Sequence, residues 1–217
     1  MKFTPVDLKS WSRGEVFYYF SEMAPAGYSL TAELDVTRVL AVCRERNIKF
    51  FPAYLWLVTK NLNAQTEFKL AQKDNAIGYY DVLTPLYAHF HEESKTFSFM
   101  WTEYDDDFSI FYDSYITNQK TYGSNCGILA RPETPPENVY TVSCVPWISF
   151  KSFSVHIYEN KPYYFPSVEA GKFEKQKNGT VKMPLSITCH HAATDGYHIK
   201  VFLDCLQSDM DCFEAYL

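Results

Sequence analysis

The sequence lacks a long apolar run, a hydrophobic N-terminal segment and an excess of basic charge. No stretch reaches the roughly 18 consecutive apolar residues of a transmembrane helix, and residues Met1 to Asp7 contain no signal-peptide core. The chain has 20 Lys and Arg against 26 Asp and Glu, a net charge of −6. Binding of a phosphate backbone needs the opposite sign. We therefore expect no membrane and no nucleic-acid partner, but a small molecule or another protein.

The cysteines follow no spacing pattern. None of the six belongs to a CxxC motif, and without a secretion signal a disulfide framework is disfavoured. The sequence predicts six reduced, mostly buried thiols in a cytoplasmic protein.

Aromatic residues, by contrast, are abundant. The 17 Tyr, 17 Phe and 4 Trp exclude a disordered chain. A chain of 217 residues buries a core without disulfides or metals. We expect one domain over residues 1–217.

Helical and strand patterns follow one another without regular alternation. A capping box at Ser12–Glu15 predicts a first helix to about Glu22. Further helices are predicted after Asp35, with Pro52 in the first turn of the next one, and after Asp107. Period-two patterns, with an Asn-Gly hairpin turn at 178–179, predict strands at 28–34, 77–80, 86–90, 96–101, 139–145, 153–158, 165–173 and 181–189. The fold class is α/β, a two-layer sandwich in which helices pack on one face of a mixed β-sheet.

One segment, His190 to Gly196, joins the last strand to the last helix and carries two histidines. Imidazole can take and return a proton near neutral pH. The pair can be hydrogen-bonded core residues, or one of them can be a general base. A metal site of His191, Asp195 and His198 needs a helix that begins before His191, whereas Thr194 is typical of an N-cap. The residues alone leave these interpretations open.

This segment has the HHxxxDG pattern of CoA-dependent acyltransferases, which condensation domains of peptide synthetases share. The chain further resembles the type A chloramphenicol acetyltransferases in segments that follow the family's order, namely Ser10–Glu15 with Phe17, Lys49–Ala53, Phe90–Glu93 with Thr96–Ser98, Trp101–Phe108, Val142–Trp147 and Gly171–Phe173. The resemblance covers nearly the whole chain.

The resemblance implies a catalytic site of four residues. His191 is expected to be the general base that takes the proton of the primary hydroxyl of chloramphenicol. Ser143 is expected to stabilise the oxyanion of the tetrahedral intermediate. Asp195 is expected to pair with Arg13 on the first helix and so hold the loop that carries the histidine.

The resemblance also implies the binding partners. The co-substrate is acetyl-CoA, with Pro146, Trp147 and Lys172 on its side, and no cofactor or metal is bound permanently. The acceptor, chloramphenicol or a similar hydroxylated small molecule, would contact four apolar or aromatic residues, Tyr19, Phe20, Phe153 and Val155. The family's active enzymes are homotrimers with sites between subunits.

Three positions depart from the family pattern. Glu169 stands where a Thr is common, and a carboxylate near an oxyanion is unfavourable unless it is protonated, turned away or paired. Phe51 replaces a common Tyr near the CoA adenine, and Gly14 stands where a helix former is usual. Two alternatives therefore stay open: an acetyltransferase for another hydroxylated acceptor, and a protein that sequesters a ligand without turnover.

Overall fold

The computed structural model describes residues 1–156 and 163–217, and these residues form two β-sheets. The larger sheet has seven strands, β2 (Gly27–Asp35), β5 (Thr84–His91), β6 (Thr96–Trp101), β7 (Val139–Val145), β8 (Ser167–Gly171), β9 (Glu174–Lys175) and β10 (Val181–His190). Their order is β2-β10-β8-β7-β5-β6, with β9 paired to β10. The β5–β7 and β7–β8 pairs are parallel and the others antiparallel, so the sheet is mixed as predicted.

A smaller antiparallel sheet was not foreseen from the sequence. It has the order β1-β4-β3 and consists of β1 (Phe3–Pro5), β3 (Leu70–Lys73) and β4 (Ala76–Tyr80). A second apolar cluster around Phe17 and Leu70 packs beside this sheet.

The helices are α1 (Gly14–Tyr18), α2 (Thr37–Glu45), α3 (Phe50–Asn63), α4 (Phe108–Tyr122) and α5 (Gly196–Asp211), and α1 continues into a π-helical turn, Tyr19–Met23. Helices α2 to α5 form the main helix layer on one face of the larger sheet, whereas Phe17 of α1 belongs to the second apolar cluster beside the smaller sheet. Residues of α2 to α5 share one buried cluster with Leu185 and Ile187 of β10. This arrangement confirms the predicted α/β fold. Within the described ranges, no helix has the length and apolarity needed to cross a bilayer.

The first helix differs from its predicted start. Its N-cap is Arg13, whose side chain makes no capping hydrogen bond, so the predicted capping box at Ser12 is absent. Gly14 follows, and a Cβ atom there would lie 2.1 Å from the carbonyl oxygen of Leu8. The close approach of the preceding turn explains why glycine stands where a helix former is usual.

Three other sequence predictions need correction. Residues 153–156 form no strand, and 157–158 lie outside the described residues. The N-cap of α5 is Asp195 and not Thr194. Three of the six free cysteines are exposed, so the thiols are not mostly buried as predicted; these are Cys126, Cys205 and Cys212.

Candidate active site

His191 follows β10 directly, and the turn before α5 fixes its ring. Its Nδ1 lies 3.2 Å from the carbonyl oxygen of Thr194. Because a carbonyl oxygen only accepts, this contact requires the proton on Nδ1 and leaves the lone pair on Nε2. The ring stacks on Phe20, with the ring centroids 3.9 Å apart and the planes at 9° to each other. The ring of Tyr28 packs against it with the centroids 4.9 Å apart. The contacts therefore hold the ring in one orientation and favour the tautomer that a general base requires.

His190 has a different environment from its neighbour. Its Nδ1 accepts the backbone N–H of Ala192 at 3.2 Å, and its ring packs edge-on against Tyr164. Burial, together with nearby His191, lowers the pKa of His190 and favours the neutral ring. The core interpretation thus applies to His190.

Arg13 and Asp195 form the ion pair that the resemblance implied. Arg13 Nη1 donates to Asp195 Oδ2 at 3.0 Å, and Asp195 Oδ1 accepts the N–H of Tyr197 at 3.0 Å. Burial acts to raise the pKa of Asp195, but the hydrogen bonds from Arg13 and from the backbone N–H of Tyr197 lower it, and the pKa lies below its usual value. The carboxylate is therefore ionised while it caps α5.

The helical spacing required by the metal hypothesis does not form. The helix α5 begins at Gly196, so His191 lies outside it. His198 Nδ1 accepts the backbone N–H of Asp195 at 3.1 Å, which completes a capping box. In the described ranges, no group of three His, Cys, Asp or Glu side chains is arranged to hold a metal.

Ser143 lies on β7 and is half-buried on the sheet face away from the main helix layer. It stands opposite Glu169 of β8, which stands opposite Ser186 of β10. Ser143 lies two strand spacings from β10, level with Ser186, and His191 lies five residues further along the chain from Ser186. The two positions are therefore on the order of 15–20 Å apart. One chain therefore does not bring the predicted base and the predicted oxyanion donor together.

A cavity of about 660 Å³ lies on the helix side of the sheet. The three residues predicted to bind acetyl-CoA, Pro146, Trp147 and Lys172, all line it, and Phe51 does so as well. The rest of its wall is largely aromatic and includes Phe50, Tyr54, Tyr87, Phe90, Tyr115 and Phe173. Sequence reasoning missed Tyr87 and Tyr115, because an aromatic residue that lines a cavity has the same periodic spacing as a core residue.

The four predicted acceptor residues lie in two places. Tyr19 and Phe20 belong to the π-helical turn, where Phe20 contacts His191. Phe153 and Val155 lie against β10: the carbonyl of Phe153 accepts from Ser186 Oγ at 2.7 Å, and Val155 N–H donates to Thr188 Oγ1 at 3.4 Å.

Comparison with known sequences identifies the family. The family profile described as chloramphenicol acetyltransferase matches residues 1–207. A chloramphenicol acetyltransferase of Clostridium butyricum is 35% identical over 218 aligned positions, which cover 100% of this chain and 99% of the relative. One of Staphylococcus aureus is 37% identical, with 97% of each chain covered.

Solved structures share the fold at lower identity. A chloramphenicol acetyltransferase structure superposes with a TM-score of 0.83 at 21% identity and covers 95% of this chain and 99% of its own. A truncated catalytic core of a 2-oxoacid dehydrogenase multienzyme complex from Thermoplasma acidophilum gives 0.67 at 14%, with 97% and 98% covered. The chain belongs to the chloramphenicol acetyltransferase family, a family of acyltransferase enzymes.

Proposed function

We propose that this protein transfers the acetyl group of acetyl-CoA to the primary hydroxyl of chloramphenicol and thereby inactivates the antibiotic. The observation that carries the proposal is the geometry of His191. Its Nδ1–H donates a hydrogen bond to the Thr194 carbonyl, and in this tautomer the lone pair on Nε2 can accept a proton. A protein that only sequesters a ligand has no need of such a base.

The reaction proceeds through a tetrahedral intermediate. His191 Nε2 takes the proton of the acceptor hydroxyl while that oxygen forms a bond to the thioester carbonyl carbon. Ser143 Oγ–H donates to the carbonyl oxygen as negative charge develops there. The C–S bond then breaks, and the proton on Nε2 passes to the sulfur of CoA. The products are the acetyl ester and the CoA thiol.

The two substrates use different parts of the surface. Acetyl-CoA occupies the cavity on the helix side, where the exposed Lys172 faces the CoA phosphates. Pro146 and Trp147 line this cavity and follow Ser143 closely along the chain. A thioester bound beside them therefore passes the end of β7 to reach Ser143 on the other face of the sheet. Chloramphenicol packs against the aromatic and apolar side chains of Tyr19, Phe20, Phe153 and Val155.

The separation of Ser143 from His191 supports an active site shared between subunits. Within one chain the two side chains lie on the order of 15–20 Å apart, although the reaction needs both beside the same carbonyl. The surface near His191 is also apolar, with Tyr18, Tyr19 and Met23 exposed. In a homotrimer, the base of one subunit can face the oxyanion donor of its neighbour.

Thiol release from acetyl-CoA tests the reaction. We expect release that depends on chloramphenicol in the wild type and falls at least about 10²-fold in His191→Ala. The matched control is His91→Gln, because His91 at the end of β5 is hydrogen-bonded to Ser98 of β6 and lies outside the proposed site. CoA binding without release would favour the sequestering alternative, and release only with another hydroxylated acceptor would exclude chloramphenicol.

Mixed oligomers test the shared site. His191→Ala and Ser143→Ala are each expected to be inactive, with the serine variant down about 10²–10³-fold. After co-refolding in equal amounts, about one quarter of the sites in a cyclic trimer combine an intact base with an intact neighbouring serine. We expect that fraction of wild-type activity. No recovery in a verified mixed trimer would place both groups in one chain.

A further inference from the structure

A row of polar residues crosses the sheet face opposite the main helix layer. Thr31 of β2, Ser186 of β10, Glu169 of β8 and Ser143 of β7 stand directly opposite one another in register. Neighbouring strands are about 4.8 Å apart, so the side chains of Glu169 and Ser143 start at that spacing on one face. Glu169 is the ionisable member of the row.

The side chain of Glu169 is completely buried, with 0% exposure. Its Oε1 accepts a hydrogen bond from Ser167 Oγ, which in turn accepts from Thr141 Oγ1 at 2.9 Å. Its Oε2 is buried and has no hydrogen-bond partner among residues 1–156 and 163–217. Because Oε1 is occupied as an acceptor, a proton on this carboxyl belongs on Oε2.

No cation of the described residues compensates a negative charge on Glu169. Burial raises its pKa to about 7, and the hydrogen bond from Ser167 only partly opposes this. Tyr54 on α3 and Cys189 on β10 interact with its charge, and burial keeps both neutral. Lys151 precedes the residues 153–156 that lie against β10, but its side chain is exposed and pairs with Glu33 instead.

We propose that Glu169 is a further catalytic residue, a neutral carboxylic acid whose Oε2–H joins Ser143 as a hydrogen-bond donor to the oxygen of the tetrahedral intermediate. The proposal rests on the role proposed above for Ser143. The proton stays on Oε2 throughout the reaction, so no other group needs to supply or remove it. The unpartnered Oε2 and the register that sets Glu169 opposite Ser143 are the observations that support this role, because an arriving oxyanion would supply the acceptor that Oε2–H lacks.

Ionisation of Glu169 removes the donor and places a negative charge beside the developing oxyanion. We therefore expect kcat of the wild type, measured at saturating substrates, to fall as the pH rises above about 7. Glu169→Gln keeps both an acceptor for Ser167 and an N–H donor but cannot ionise. We expect it to lack this decline and to exceed the wild type on the order of ten-fold at pH 8.5.

A variant without any donor at position 169, and a control at an exposed carboxylate, test whether the hydrogen bond from Glu169 contributes to the rate. Glu169→Ala lacks the donor at every pH, and we expect kcat about 10²-fold lower. Glu45→Gln is the matched control, since Glu45 is exposed at the end of α2 and should keep the wild-type pH profile. A decline that persists unchanged in Glu169→Gln would overturn the proposal.

The state of the carboxyl can be measured without turnover. The infrared difference between wild type and Glu169→Gln should contain the C=O band of a protonated carboxylic acid at pH 6, lost by pH 8.5. Absence of the band at pH 6 refutes the neutral acid even in an active enzyme. If chloramphenicol is not acetylated, the proposed function fails separately, and the same pH profiles are then measured on acetyl-CoA hydrolysis, with water as acceptor.

Discussion

Arg13 and Asp195 join the start of the first helix to the start of the last across 182 residues of sequence, through a hydrogen bond of 3.0 Å. An arginine at a helix N-terminus opposes the helix dipole, and a carboxylate partner offsets that conflict. The carbonyl that holds His191 Nδ1 belongs to Thr194, the residue immediately before Asp195. The ion pair therefore acts on the proposed base through the backbone of the turn.

A double-mutant cycle with Arg13→Gln and Asp195→Asn measures this pair. Since the Asp195 side chain is 38% exposed, solvent screens the pair, and we expect each single variant to lose only about 1–2 kcal/mol of unfolding free energy. The two losses should not be additive, and kcat should fall more than the KM values change. Additive effects in urea unfolding would mean that the two side chains do not interact.

The sequence predicted most of the sheet, because burial on alternate faces produces a period of two. Strands β6 and β7 begin and end where predicted, at 96–101 and 139–145. The Asn178-Gly179 turn also formed, with Gly179 at a φ of +90° that favours glycine. Residues 153–156 alternate for a different reason: they cover β10, and the carbonyl of Phe153 bonds to the Ser186 hydroxyl instead of to a neighbouring strand.

Without the family resemblance, the candidate site was predictable only where a local motif marks it. The two histidines and the aspartate lie within six residues of each other, so one segment reveals them. Ser143 and Glu169 become neighbours only through the parallel pairing of β7 and β8, which no local pattern encodes. The cavity likewise depends on α3, α4 and β5 meeting in the folded chain.

Lys172 provides a test of the acetyl-CoA cavity. We expect Lys172→Gln to raise the KM for acetyl-CoA about 2- to 5-fold with little change in kcat, because one exposed charge contributes about 0.2–1 kcal/mol. High salt should reduce the difference from the wild type. Lys177→Gln, at an exposed position in the same hairpin, is the control. An unchanged KM at low ionic strength would place the CoA phosphates elsewhere.

Gly14 gives a stability prediction with an unusual sign. Replacing glycine by alanine inside a helix normally stabilises it by about 1 kcal/mol. Here the new Cβ would lie 2.1 Å from the Leu8 carbonyl oxygen, so we expect Gly14→Ala to lower the unfolding free energy by about 1–3 kcal/mol. Gly196→Ala is the contrasting variant, since nothing lies within 4 Å of its added Cβ. Equal stability changes in the two variants would exclude the steric explanation.

The ionisation of buried Glu169 should make the unfolding free energy depend on pH more strongly than the ionisation of a surface carboxylate does. Burial raises its pKa from 4.5 to about 7 in the folded protein, so its contribution to stability is fully present below 4.5. The contribution is lost as the pH rises through 7, by on the order of 3 kcal/mol in all. Glu169→Gln cannot ionise and should escape this loss.

The stability of Glu169→Gln relative to the wild type should therefore increase by about 2 kcal/mol between pH 5.5 and 8.5. Urea unfolding at fixed protein concentration measures it, because an oligomer's stability depends on concentration. Glu45→Gln, which changes an exposed carboxylate, should show no such trend. A constant difference between wild type and Glu169→Gln at both pH values would mean that Glu169 is already ionised at pH 5.5, and no donor would then stand beside Ser143.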